Sequence, residues 1–151
     1  MNEEHAGVGD TEGMAIRVAL LLCALTVVAG CGGSVLTLEV GTCFDDPDSF
    51  AEVADVPVVD CADPHDNEVI GLLDLPDGGY PGDGAVTEAA ESGCLDLFEP
   101  YVGVRHADSV YELGWLTPSE ESWSVGDREV ICFAYDATLA KITGSVRGIA
   151  A

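Results

Sequence analysis

A chain of 151 residues has room for one ordinary domain with its own core, and 28 Asp and Glu against 5 Lys and Arg leave a formal charge of −23. A surface of that sign repels nucleic acid and anionic lipid headgroups, which excludes both as direct ligands and leaves cations, basic partners and plain solubility. An apolar content of 48% excludes a disordered chain in spite of the charge.

The first thirty residues read as an address. Val18 to Ala29, VALLLCALTVVA, is uncharged and follows Arg17. An export signal needs an apolar run of about 7–15 residues behind a basic start, whereas a bilayer-spanning helix needs about 20. Gly30, Gly32 and Gly33 end the run too soon for a span. It closes on Val28-Ala29-Gly30-Cys31, which resembles the lipobox of bacterial lipoproteins. The resemblance implies cleavage before Cys31, lipid (palmitate among it) on that cysteine, and a protein held to the extracytoplasmic face of the cell membrane. Residues 2–13 are acidic and suit no signal, so Met14 is the better start. The expected organisation is a signal peptide over 1–30, a lipidated tether over 31–38 and a single domain over 39–151.

In chain order, the domain opens with Glu39 to Phe44 and a turn-prone acidic stretch. Residues 56–61 alternate and carry β-branched side chains, which predicts a strand. Residues 62–67 form a turn, residues 68–75 a second strand, and the two strands are expected to pair as a hairpin. Residues 76–84, PDGGYPGDG, are a loop by composition. Apolar positions then recur at Val86, Ala89, Ala90, Cys94, Leu97, Phe98 and Tyr101, the period of an amphipathic helix. Thr87 is its expected N-cap, and Pro100 is expected to end its regular part. Residues 109–116 read as a strand, and Thr117-Pro-Ser-Glu120 as the capping box of a short helix. After a turn at 124–127 comes the clearest strand, residues 128–135, and a turn at Asp136-Ala137 leads into 138–142. The sum is an α+β fold, a small antiparallel sheet packed by one main helix.

Six cysteines occur, at 23, 31, 43, 61, 94 and 132. Cys23 leaves with the signal and Cys31 takes lipid. The other four imply two disulfides in an oxidising compartment. Of the three pairings open to them, Cys43–Cys61 and Cys94–Cys132 are favoured: the first pair lies in neighbouring β-like runs, and the second pins the helical pattern to the late strand.

Residues 61–69, CADPHDNEV, are the densest polar segment. His65 and Glu68 lie three apart between Asp63 and Asp66. Such a group suits a base or metal ligand with carboxylate support, and equally a corner in which His and Glu hydrogen-bond the backbone beside a disulfide. One His and one Glu do not fill a zinc site, and beyond the signal the only other histidine is His106. No GxSxG nucleophile occurs, the glycine-rich loop lacks the Lys of a phosphate loop, and its aspartates do not match an EF-hand. No cofactor or metal is therefore expected. Trp115, Trp123 and Tyr135 read as core or cap residues rather than a ligand platform.

The ordered set of Val40-Gly-Thr-Cys-Phe44, residues 56–69, Tyr80-Pro81-Gly82, Cys94, Trp123, Gly126-Asp127-Arg128 and Cys132 resembles the septum-formation domain family of actinobacterial exported and membrane proteins. The resemblance implies a cell-envelope location and a role near division, and it brings no catalytic residues. The expectation is a non-enzymatic, lipid-anchored domain that binds an envelope protein or wall component, with no nucleic acid among its partners. Its candidate binding residues are His65, Glu68 and Arg128. The rival is a small metal-assisted hydrolase using His65 and Glu68.

Overall fold

The structure, a computed structural model, describes residues 32–34, 37–47 and 55–150. The export signal, the start at Met14 and the lipidation cysteine Cys31 lie outside the described residues. Among the described residues no helix is long and apolar enough to cross a membrane.

Six antiparallel strands form the sheet: β1 Gly32–Ser34, β2 Cys43–Phe44, β3 Asp55–Val59, β4 Asn67–Asp74, β5 Tyr111–Leu116 and β6 Glu129–Asp136, in the order β1-β3-β2-β4-β6-β5. Helix α1, Asp83–Val102, covers one face, and a short α2, Glu120–Ser124, precedes β6. This is the α+β architecture expected, with both disulfides paired as expected, Cys43–Cys61 and Cys94–Cys132.

Alternation along the strands divides the interior in two. One set of side chains, including Ile70, Val130, Cys132 and Ala134, meets Val86, Ala90, Cys94, Phe98 and Tyr101 of α1. The other set, Val69, Ile131 and Phe133, gathers with Leu38, Phe44 and Val56 where the sheet curls over its second face. Helix and sheet approach closely because glycines face leucines. A Cβ on Gly71 would stand 2.6 Å from Leu97, and one on Gly93 would stand 2.6 Å from Leu73. The Cys94–Cys132 bridge lies in the same layer, since Gly71 pairs with Cys132 across β4 and β6.

Four local expectations are corrected. The strands at 55–59 and 67–74 do not form a hairpin: β2 is inserted between them, with Cys43 opposite both Val59 and Glu68. Inserting β2 buries Cys43 and Phe44 completely, which direct pairing would forgo. Helix α1 begins before Thr87, with Gly82 as N-cap, because Val86 must already be helical to enter the core. It also runs through Pro100. The hydrogen bond that proline withholds belongs to the Asp96 carbonyl, on an exposed stretch that water can serve. The end comes at Gly103, whose φ of 90° is left-handed and whose N–H bonds the Glu99 carbonyl at 2.9 Å. Finally, the capping box of α2 is Ser119 with Ser122, not Thr117 with Glu120. That start turns Trp123 inward to meet Tyr80 edge to face, with ring centroids 5.6 Å apart.

Candidate functional site

The polar segment 61–69 wraps the end of the sheet where β4 begins. Asp60 starts it, its carboxylate accepting from the Ala62 N–H at 2.9 Å. His65 then forms an isolated bridge with Ile142, its N–H to the Ile142 carbonyl at 2.9 Å and the reverse bond at 2.8 Å. The chain after β6 thus returns as a strap over 137–150. Gly144 N–H bonds the Cys61 carbonyl at 2.7 Å, and Gly148 N–H bonds the Tyr101 carbonyl at 2.8 Å at the end of α1. Ile142 and Val146 of the strap are buried in the main core.

Glu68 holds this closure from inside. It points to the helix face, fully buried, between α1 and the strap. One carboxylate oxygen accepts from the Tyr101 hydroxyl at 2.5 Å and the Ser145 hydroxyl at 2.6 Å. The other accepts from the Val146 N–H at 2.6 Å. A buried carboxylate folds only with such donors around it. Burial, with the Glu68 carboxylate against its hydroxyl, pushes the Tyr101 phenol above its ordinary value, so Tyr101 stays a donor. The Arg147 guanidinium lies over the Tyr101 ring at 4.4 Å.

His65 is also fully buried. Its Nδ1 is 2.8 Å from the Asp63 carbonyl, an acceptor, so Nδ1 carries the proton. Nε2 has no hydrogen-bond partner among the described residues. Ligand atoms of Cys43, His65 and Glu68 lie within 4.8 Å of one another. They do not form a metal site as they stand, because the Cys43 sulfur is bonded to Cys61 and the Glu68 oxygens are taken by protein donors.

The structure therefore brings His65 and Glu68 together and leaves Arg128 apart. Glu68 pairs with Ala134 on β6, whereas Arg128 precedes that strand, six residues or about 20 Å along it. Its guanidinium stacks on Trp123 at 3.9 Å and donates to the Trp123 carbonyl at 2.9 Å. Trp123 in turn donates to the Gly78 carbonyl at 2.9 Å, so Arg128 and Trp123 brace the glycine-rich loop. His106 faces Glu112 at 3.1 Å. Tyr101 is legible in the sequence only as a core position of the helix, and Ser145 and Val146 escaped the sequence reading. The signal available was Glu68 itself, an acid followed by the apolar Val69-Ile70, which demands donors from elsewhere in the chain.

No curated protein and no solved structure matches the chain. The sequence profile of a family described as Septum formation matches residues 28–132, a span that holds all four disulfide cysteines together with His65, Glu68 and Arg128. On that match the chain belongs to the septum-formation family, which assigns it a septum-related role at the cell envelope.

Proposed function

We propose that the protein is a non-enzymatic binding module, held by lipid on Cys31 to the extracytoplasmic face of the membrane, that engages an envelope protein or wall component. One observation carries the reading. The residues with the most reactive chemistry are built into the closure of the fold: Cys43 and Cys61 are bonded to each other, Glu68 is buried with both of its oxygens occupied, and His65 is buried with Nδ1 on the Asp63 carbonyl. Function is left to the surface. The anchor rests on the apolar run Val18–Ala29 ending at Cys31.

Two measurements on the full chain test it. Cys31→Ala should move the protein out of the detergent phase in which the wild type partitions, and equal partitioning of the two would remove the anchor. Wild type purified from envelopes should carry no stoichiometric transition metal. Zinc at one equivalent, lost in His65→Ala, would replace the binding module with the metal-assisted hydrolase.

A further inference from the structure

The second face of the sheet carries a cleft that the closure around Glu68 does not use. It has a volume of about 380 Å³ and is lined by Gly114, Phe133, Tyr135 and Leu139, with Asp66 and Asp136 among its polar walls. Gly114 lets the Phe133 ring lie flat against β5 as the floor of the cleft: a Cβ there would stand 2.3 Å from that ring. Leu139, 79% exposed, holds an apolar side chain at the rim with φ at 61°, a left-handed conformation that a leucine rarely adopts.

The charge of the cleft is negative. The Asp136 carboxylate accepts from the Thr138 hydroxyl and N–H, which holds it below the usual carboxylate range. Burial raises the Asp66 carboxyl, but hydrogen bonds from Lys141 and the Asp46 N–H outweigh it and keep it low. Lys141 is shared between Asp45 at 2.6 Å and Asp66 at 2.8 Å, while Asp46 accepts from Asn67 at 2.8 Å. One ammonium thus stands against four carboxylates.

The cleft opens on the edge of the sheet. Among the described residues β5 has a single strand neighbour, β6. Its sequence, YELGWL, has no Pro or Lys and its pairing with β6 is unbroken; the Ser109 hydroxyl takes the Tyr111 N–H and Glu112 is the one charge on the strand, which leaves the Gly114 end of the edge uncovered among the described residues. A strand added to that edge places the residue opposite Gly114 on the cleft face, where the Phe133 ring over Gly114 is the surface it meets.

We propose that β5 and this cleft dock an extended basic segment of a partner protein, which adds to the sheet and places a lysine or arginine past Gly114 against Tyr135 and Asp136. The occupant is basic because the cleft and the whole chain are acidic, and a second copy carrying the same −23 is repelled. The inference rests on the binding-module reading and names its surface.

The test is fluorescence anisotropy of a fluorescein-labelled octapeptide alternating valine and lysine, titrated with the full chain. Saturable binding is expected, weakened at least tenfold by Asp136→Lys, at the end of β6, and by Leu139→Lys, on the exposed turn after it, with the melting temperature of Leu139→Lys near wild type. Asp96→Lys, on the exposed side of α1, makes the same charge change as Asp136→Lys and should leave binding within twofold. Equal losses from Asp96→Lys and Asp136→Lys, or no saturation, would overturn the site, as would a dimer by sedimentation that Leu139→Lys dissolves. Cross-linking in envelopes separates the two levels. A partner still captured by Asp136→Lys removes the cleft and spares the binding module, whereas no captured partner for wild type removes both.

Discussion

Glu68 ends a polar segment but is buried at the start of β4, and an acid there is tolerated only where donors converge on it. Its donors are 33, 77 and 78 residues away in sequence, at Tyr101, Ser145 and Val146. That distance is why His65 and Glu68 were legible as a pair while their partners were not: a local pattern shows that a polar group is unusual, not which later segment satisfies it. Glu129, at the far end of β6, is instead repelled by its neighbours. Burial and the nearby Asp74 and Asp127 push the Glu129 carboxyl above its ordinary value. A carboxyl raised on folding contributes stability when protonated and loses it as pH rises through the unfolded and then the folded value. Glu129→Gln should therefore stabilise the protein at pH 7, by about 0.5 kcal/mol for a partly exposed group, and the gain should vanish below about pH 4. Denaturant titrations at the two pH values check this, and a destabilised variant at pH 7 would contradict it.

At the scale of elements, patterning and β-branched content located every strand from β3 onward, the helical period located α1, and a capping signature located α2. Strand order was not legible. β2 has two residues, too few for a pattern, yet it enters the centre of the sheet and separates β3 from β4. The helix ends were misread for a related reason: Thr87 and Pro100 are local signals, and packing of Val86, Tyr101 and Val102 into the core outweighed both. The disulfides were legible because their neighbours in sequence already belonged to identifiable elements. Cys94–Cys132 closes a separation of 38 residues and Cys43–Cys61 one of 18. Loop-closure entropy then assigns about 4 and about 3 kcal/mol respectively. Replacing Cys94 and Cys132 by Ala should cost more stability than replacing Cys43 and Cys61, as read by equilibrium denaturation. The reverse order would show that the strap, held to the Cys61 carbonyl through Gly144, depends on the smaller bridge more than chain entropy allows.

For the whole molecule, charge and closure are the governing facts. A surface at −23 selects for basic partners, and the strap over 137–150, which lies beyond the family match ending at residue 132, completes the core. The cleft beside β5 went unread because Gly114, Phe133, Tyr135 and Leu139 are assembled by strand pairing and a turn, and no one of them is unusual alone. The claim on which the account turns is that the segment around His65 and Glu68 closes the fold and performs no reaction. Equilibrium unfolding of Glu68→Ala in the full chain tests it most directly. The account predicts a loss of about 3 kcal/mol, because the Val146 N–H and the Tyr101 hydroxyl are left buried without an acceptor, with metal content unchanged. Stability within about 0.5 kcal/mol of wild type would contradict it.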